Sequence, residues 1–175
     1  MKLNPSQFVE LVDSVFAEAL AAFQLMPVDW HHHEDYFACR TFRSGDRYLQ
    51  VSANCYFRDG QPECRVVLGH GPHHWPDVDW NAMALWRLNE SGENYPFHSV
   101  EDIPSVLAVM RQDLLNTAED FLAGDIVRFL KQRSAQNRQR EPYVVHSPQP
   151  DGTYKATFEP ESQKLKEKYS SEKKA

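Results

Sequence analysis

The chain is 175 residues long, 41% hydrophobic and 12% aromatic, with a formal net charge of -6. This length favours one domain with a buried core, and the composition excludes intrinsic disorder and a need for disulfides in folding. Residues 1–124 carry 8 Lys/Arg against 18 Asp/Glu, whereas residues 125–175 carry 11 against 7. An acidic body of this kind argues against broad nucleic-acid binding, which needs a basic face.

The N-terminal segment predicts an amphipathic helix. Asn4-Pro5-Ser6 is typical of a helix start, because the Asn side chain can cap and Pro fits the first turn. Apolar residues then recur at helical spacing; they are Phe8, Leu11, Val12, Val15, Phe16, Ala19, Leu20 and Phe23. We expect this helix to end before Pro27 and to pack its apolar face on the rest of the domain. Residues 27–35, which include His31, His32 and His33, are predicted to be a polar connection.

Three strands joined by tight turns are predicted between residues 36 and 68. They are Tyr36–Arg43, Arg47–Phe57 and Glu63–Leu68, with turns at residues 44–46 and 58–62. In the second strand the odd positions are apolar and the even positions are polar or aromatic, so one face is expected in the core. The short connections predict an antiparallel meander. The predicted core face consists of Leu49, Val51, Ala53, Cys55, Phe57, Val66 and Leu68.

The three cysteines, Cys39, Cys55 and Cys64, all lie in predicted strands without a CxxC spacing. This odd number of cysteines predicts buried free thiols in a reducing compartment, and Cys55 and Cys64 share the phase of the apolar residues in their strands. The sequence contains no signal-peptide pattern and no apolar run of membrane-spanning length. We therefore expect a cytoplasmic protein that does not insert into a membrane.

Helices are predicted to dominate the chain after residue 80. A short helix over residues 80–88 could be capped by Asp79, and a long helix is expected from between Ser99 and Ser105 to Leu122. Gly124-Asp125 predicts a helix end followed by a new cap. The next helix is expected to lose its apolar face in KQRSAQNRQRE, residues 131–141.

The chain changes character at Pro142. Residues 142–160 contain two short β-prone pieces around Pro148–Gly152, which predict a hairpin that could dock on the sheet. Residues 161–175 are charged and are expected to be a tail that is either disordered or a loose helix. The domain itself is therefore expected to span residues 1–141, with an α+β fold. In that fold an antiparallel meander of three to five strands packs against the N-terminal helix and the C-terminal helices.

A metal site is one candidate function. His70, His73 and His74 follow a predicted strand, and imidazole suits zinc. Residues 31–35 could supply further ligands, but the HExxH pattern fails because position 37 is Phe. The alternative is a set of loop histidines that bond to water and backbone carbonyls. We expect no cofactor, with zinc as the leading alternative.

A protein-binding surface is the favoured function. Aromatic rings and carboxylates lie close together in and around residues 69–80. Trp and Tyr are favoured in protein interfaces, and nearby carboxylates suit a basic partner. The alternative is that the helices cover these rings. The predicted partner-binding residues are Tyr48, Tyr56, Trp75, Asp77, Asp79 and Trp80.

Other chemistries have weaker signals. The sequence has neither GxSxG nor GxGxxG, so we predict binding rather than catalysis and assign no catalytic residue. Residues 128–140 are basic and could make weak contact with nucleic acid or another anionic partner. The alternative there is a solvated helix end, since no aromatic platform accompanies the charges.

The layout also resembles a group of known proteins. An N-terminal amphipathic helix, a meander, a Trp-containing loop and a long helix within "YPF … EDI … L … FLAGD" resemble small bacterial α+β families of unknown function. Some of these families are grouped with immunity proteins, which neutralise a toxin by binding it. The resemblance covers residues 8–133. It implies a compact acidic binder and transfers no functional residues.

Overall fold

The computed structural model describes residues 2–56 and 61–171 and shows an α+β fold. Six helices and eight strands are present in these residues. The elements are α1 (Pro5–Ala21), β1 (Met26–His33), β2 (Phe37–Ser44), β3 (Arg47–Asn54), β4 (Glu63–His70), α2 (Asp77–Asn81), β5 (Ala82–Ala84), β6 (Tyr95–Pro96), α3 (Ile103–Thr117), α4 (Glu119–Ala123), α5 (Val127–Gln139), β7 (Val144–Pro148), β8 (Tyr154–Phe158) and α6 (Pro160–Ser171).

The main sheet is the predicted antiparallel meander with additions at both edges. Strands β1 to β4 follow one another in sequence order, and β5 and β6 both pair with the outer edge of β4. In the β3–β4 register Leu49 lies opposite Leu68 and Val51 lies opposite Val66, which puts the apolar positions of both strands on one face. Phe57 and turn residues 58–60, which were also predicted, lie outside the described residues.

Helices α1 and α3 cover the apolar face of the sheet. The Asn4 side chain accepts a hydrogen bond from the Gln7 N–H at 3.2 Å, as the predicted cap requires. Arg40 of β2 holds α1 in place through Nε and Nη2, which lie 2.8 and 2.9 Å from the two Asp13 carboxylate oxygens. The predicted core residues within the described part are all buried: Leu49, Val51, Ala53, Cys55, Val66 and Leu68.

Strand β1 corrects the prediction of a polar connection at residues 27–35. It is an edge strand paired only with β2 among the described strands, and most of its residues are exposed. The backbone hydrogen bonds to β2 define this strand, so its side chains need no alternation of apolar and polar types. Met26, Val28 and Trp30 are left exposed along it.

The helix predicted at residues 80–88 is also corrected. Helix α2 ends at Asn81, and Ala82–Ala84 then pair with residues 67–69 of β4 as strand β5. The backbone N–H and C=O groups on the outer edge of β4 are available to pair with this segment. For so short a segment, this pairing outweighs the intrinsic preference for a helix. A 3-10 turn over Leu85–Arg87 follows.

The long C-terminal helix is interrupted where the sequence predicted continuity. Helix α3 ends at Thr117, Ala118 leaves helical geometry, and α4 runs to Gly124, which has a φ of 102°. The left-handed conformation at Gly124 is the predicted helix end. The predicted cap residue Asp125 accepts a hydrogen bond from the Val127 N–H at 3.1 Å, although it lies one residue before the N-cap of α5, Ile126.

The segment after Pro142 forms the predicted hairpin, β7 and β8, but the hairpin is a separate two-stranded sheet and does not join the main sheet. For the charged segment that follows, disorder or a loose helix was expected, and residues 160–171 form a helix, α6. Its Ser162 and Tyr169 are buried. Glu159 caps this helix, because its carboxylate accepts from the Ser162 N–H at 2.6 Å.

In the part of the chain described here, no helix is both long and apolar enough to cross a membrane.

Candidate interaction surface

Tyr48 was predicted on the exposed face of β3, but it is fully buried. Its cross-strand partner is Gly69, and a Cβ at that position would overlap the Tyr48 ring. The missing side chain therefore makes room for the ring to lie across β4. The Tyr48 hydroxyl donates to the Val78 carbonyl at 3.0 Å, and the His73 ring packs 4.6 Å from the Tyr48 ring. Tyr48 anchors the segment between β4 and the first turn of α2, which we call the 71–78 loop. Tyr48 offers no surface to a partner.

Trp80 is also buried, contrary to the prediction of an exposed residue. Its indole stacks on the Tyr169 ring of α6 with centroids 6.0 Å apart, and the Arg140 guanidinium lies 5.4 Å from the indole centroid. Asn137 of α5 donates to the Trp80 carbonyl at 2.6 Å. The cover over Trp80 thus comes from the segments after residue 136, which were not expected to pack there.

Tyr56 is exposed but lies away from the other predicted residues. It follows the end of β3 that pairs with Glu63, whereas the 71–78 loop leaves the sheet at the opposite end of β4. Eight residues of strand separate the two ends by about 26 Å. Tyr56 packs on Tyr36, with ring centroids 5.0 Å apart. The six predicted residues therefore do not form one surface.

Trp75, Asp77 and Asp79 remain together and meet a residue that was not predicted. Trp75 is 58% exposed and stacks on Tyr143, with centroids 5.9 Å apart. The Tyr143 hydroxyl donates to the Asp79 carboxylate at 2.6 Å. Burial and this hydrogen bond raise the pKa of Tyr143 to about 12, so its hydroxyl stays protonated as the donor. Asp77 lies 3.4 Å from His74 Nε2.

Tyr143 directly precedes the β7–β8 hairpin, and all ten hairpin strand residues are exposed. Cross-strand pairing puts Val144 with Phe158 and Pro148 with Tyr154 on one face of the hairpin. Tyr154 and Phe158 are 69% and 54% exposed. We define the hairpin surface as Val144, Tyr154 and Phe158 on this face. Trp75 and Tyr143 lie at the base of the hairpin, where alternation along the strand directs the Tyr143 side chain to the opposite face.

The hairpin surface extends the predicted site in a direction that sequence reasoning missed. The signal for the hairpin was present in residues 142–160, but it pointed to a strand pair that would be covered by docking on the sheet. Nothing in the local pattern of YVVHSP or TYKATF says whether their apolar face is covered. That depends on where the two ends of the hairpin are attached, at Tyr143 and Glu159, whose backbones are joined by a 2.7 Å hydrogen bond.

The predicted metal residues do not converge. His73 Nε2 lies 2.9 Å from the Gln50 side-chain nitrogen, His74 pairs with Asp77, and the backbone carbonyl of His70 accepts from Arg133 at 3.0 Å. Burial lowers the pKa of both His70 and His73. Over residues 2–56 and 61–171, no group of three or more His, Cys, Asp or Glu side chains is arranged to hold a metal ion.

The three cysteines are buried free thiols, as predicted; Cys55 and Cys64 lie in the core phase of their strands, whereas Cys39 pairs with Ser52 on the other face of the sheet. Burial raises the pKa of Cys39 to about 12 and also raises that of Cys55 and Cys64. These thiols are therefore protonated at neutral pH, and only the thiolate is a strong nucleophile. Their position in the sheet explains them as packing residues.

The basic residues of α5 mostly make contacts within the protein. Arg128 forms two hydrogen bonds of 2.7 Å to the Asp120 carboxylate, and Arg140 donates to the Asp79 carbonyl at 2.8 Å. Arg133 approaches the Phe129 ring as well as the His70 carbonyl. Nucleic-acid contact through residues 128–140 would need a continuous row of unpaired cations. These three arginines do not form such a row.

No protein-family model, curated protein or solved structure shows significant similarity to this chain.

Proposed function

We propose that this chain is a non-enzymatic protein-binding module, of the kind represented by small immunity proteins. The observation that supports this is the hairpin surface. A two-stranded hairpin is marginally stable in water by itself, and an apolar face left open on one is a feature of interaction sites. Val144, Tyr154 and Phe158 are all at least 48% exposed on this face.

The chemistry at the base of the hairpin supports a partner with positive charge. Trp75 offers a large ring that loses little conformational entropy on binding, and aromatic anchors of this type dominate many interfaces. The carboxylates of Asp77 and Asp79 lie beside it. The net charge of -6 on the whole chain would also speed the encounter with a basic partner.

The test uses the partner that copurifies with the tagged full chain from its own cells. Binding of that purified partner is then measured by calorimetry for wild type, for Tyr154→Ser with Phe158→Ser, and for Trp75→Ser. We expect each variant to weaken the partner's binding by about 30-fold or more, because loss of a hot spot costs about 2 kcal/mol.

The matched control is Trp30→Ser. Trp30 is an aromatic residue, 42% exposed, on β1. This strand is the edge of the main sheet farthest from β5. The substitution should leave the affinity unchanged. A partner that binds the hairpin variants as tightly as wild type, or that loses affinity only with Trp30→Ser, would show that the binding surface lies elsewhere.

A further inference from the structure

A second concave site lies on the face of the sheet that α1 and α3 leave open. It is a cleft of about 290 Å³ between the outer part of β4, strand β5 and helix α5. Its lining includes Val67 and Ala84, the three arginines Arg65, Arg87 and Arg140, and one carboxylate residue, Asp79, whose carboxylate accepts a hydrogen bond from the Tyr143 hydroxyl. Three guanidinium groups around one cleft are unexpected in a chain of net charge -6.

Two of these arginines have no carboxylate partner in the described part of the chain. Arg140 donates to the Asp79 backbone carbonyl and lies over the Trp80 ring, contacts that position the guanidinium without neutralising its charge. Among residues 2–56 and 61–171, the Arg87 guanidinium lies over the Trp86 ring, 4.3 Å from its centroid, and has no other charged or hydrogen-bonding partner. Arg65 is paired with Glu63. Guanidinium groups held in this way match the geometry of a phosphate or carboxylate.

The cleft continues into a larger groove of about 470 Å³, and Trp86, Arg65 and Asn94 line both. The groove adds Tyr56, the amide residues Asn54 and Gln61, and the acidic residues Glu63 and Glu93, of which Glu63 is paired with Arg65. A half-buried indole between a cationic pocket and a set of amides suits a flat ring with hydrogen-bonding edges. The two volumes are within the range of small-ligand sites.

We propose that this cleft binds a small organic phosphate that carries a planar ring, a mononucleotide being the representative ligand. Arg87 and Arg140 hold the phosphate, with Arg65 adjacent, and the ring lies against Trp86. The amides of Asn94, Asn54 and Gln61 bond to the edge of the ring. The acidic body disfavours a long polyanion, whereas a single phosphate at the cleft meets three arginines against the one lining carboxylate of Asp79, which is bonded to Tyr143.

The test is calorimetric titration of the full chain with AMP, GMP, CMP and UMP, and separately with inorganic phosphate and adenosine. We expect at least one mononucleotide to bind saturably with a Kd below about 1 mM. Inorganic phosphate and the uncharged nucleoside should each bind at least 10-fold more weakly. No saturable binding of any mononucleotide in this range would overturn the proposal.

Two variants assign the site. Arg87→Gln removes a cation that makes no hydrogen bond within the described protein, so folding should be unaffected; mononucleotide binding should weaken about 10-fold. Trp86→Leu should weaken the mononucleotide and leave inorganic phosphate binding unchanged. The control is Arg111→Gln, because Arg111 is an exposed arginine of α3 away from the cleft. Equal losses for Arg87→Gln and Arg111→Gln would mean non-specific charge attraction and refute the site.

Discussion

His73 couples the 71–78 loop to the sheet through its neutral ring. The Gln50 side-chain nitrogen donates to His73 Nε2 at 2.9 Å, so this ring nitrogen must carry no proton. The Tyr48 ring packs against the same imidazole, with ring centroids 4.6 Å apart. Burial and the nearby Arg43 charge lower the pKa of His73 below 6.5. Protonation would break the hydrogen bond and add a charge beside Arg43.

The consequence at the residue scale is a pH dependence of stability. Because the folded pKa is the lower one, the unfolded chain takes up the proton first as the pH falls below about 6.5. The free energy of unfolding should therefore be constant above that pH and fall below it, by at most about 1.4 kcal/mol per pH unit for each such histidine. Chemical denaturation between pH 8 and pH 5 measures this slope.

His73→Gln should reduce the slope without abolishing it, since the pKa of His70 is lowered in the same direction. His146→Gln, on the exposed hairpin, is the control and should leave the slope as in wild type. A His73→Gln protein whose stability falls as steeply as wild type would contradict this role for His73.

At the scale of single elements, α1 shows a helix start that is fully encoded in the sequence. The Asn4 side chain bonds to the Gln7 N–H, and Pro5 occupies the first turn. Asn4→Ala removes this cap and should lower the free energy of unfolding by about 1 kcal/mol, or the Tm by about 2–4 °C. Ser6→Ala, at an exposed position of the same turn, should change neither. Calorimetric melting of both variants decides; equal effects would mean that the cap adds nothing.

Helix α5 shows the opposite case, an element whose packing the sequence hides. Phe129 near its start packs on Phe121, but beyond Leu130 the contacts of α5 to the rest of the protein are largely polar. Asn137 bonds to the Trp80 carbonyl and Arg133 to the His70 carbonyl. Contacts of this kind leave no apolar period in residues 131–141, so the sequence predicted a solvated helix end. The same holds for α6, where Tyr169 and Ser162 are the buried residues of a charged segment.

At the scale of the whole molecule, the fold depends on one apolar layer between the main sheet and helices α1 and α3. Val51 is at its centre and has no exposed surface. Val51→Asp would bury an unpaired carboxylate, whose cost is comparable to the about 5–15 kcal/mol by which domains are stable. We expect this variant to lack a cooperative unfolding transition by circular dichroism.

Ser52→Asp is the matched control, because position 52 points to the other face of β3 and pairs with Arg65 of β4. It should fold and melt as wild type does. A Val51→Asp protein that is soluble and melts cooperatively would refute the register of β3 in the sheet.

The sequence by itself determined the α+β class, the meander of β2 to β4 and the core phase of β3, because local periodicity encodes which face of a strand or helix is apolar. It also determined the cap of α1 and the end of α4 at Gly124. Only the tertiary structure decided what covers the second face of the sheet. Tyr48 is buried because Gly69 makes room for it, and Trp80 because Tyr169 lies on it.

These partners are distant in sequence and meet through one or two specific contacts each, which produce no repeating pattern. For the same reason the candidate surface differs from the predicted one. Trp75 and Asp79 contact Tyr143, which was not predicted, and the apolar face of the adjoining hairpin is exposed. Burial on the second face is a property of chain segments that come together, and no single segment carries it.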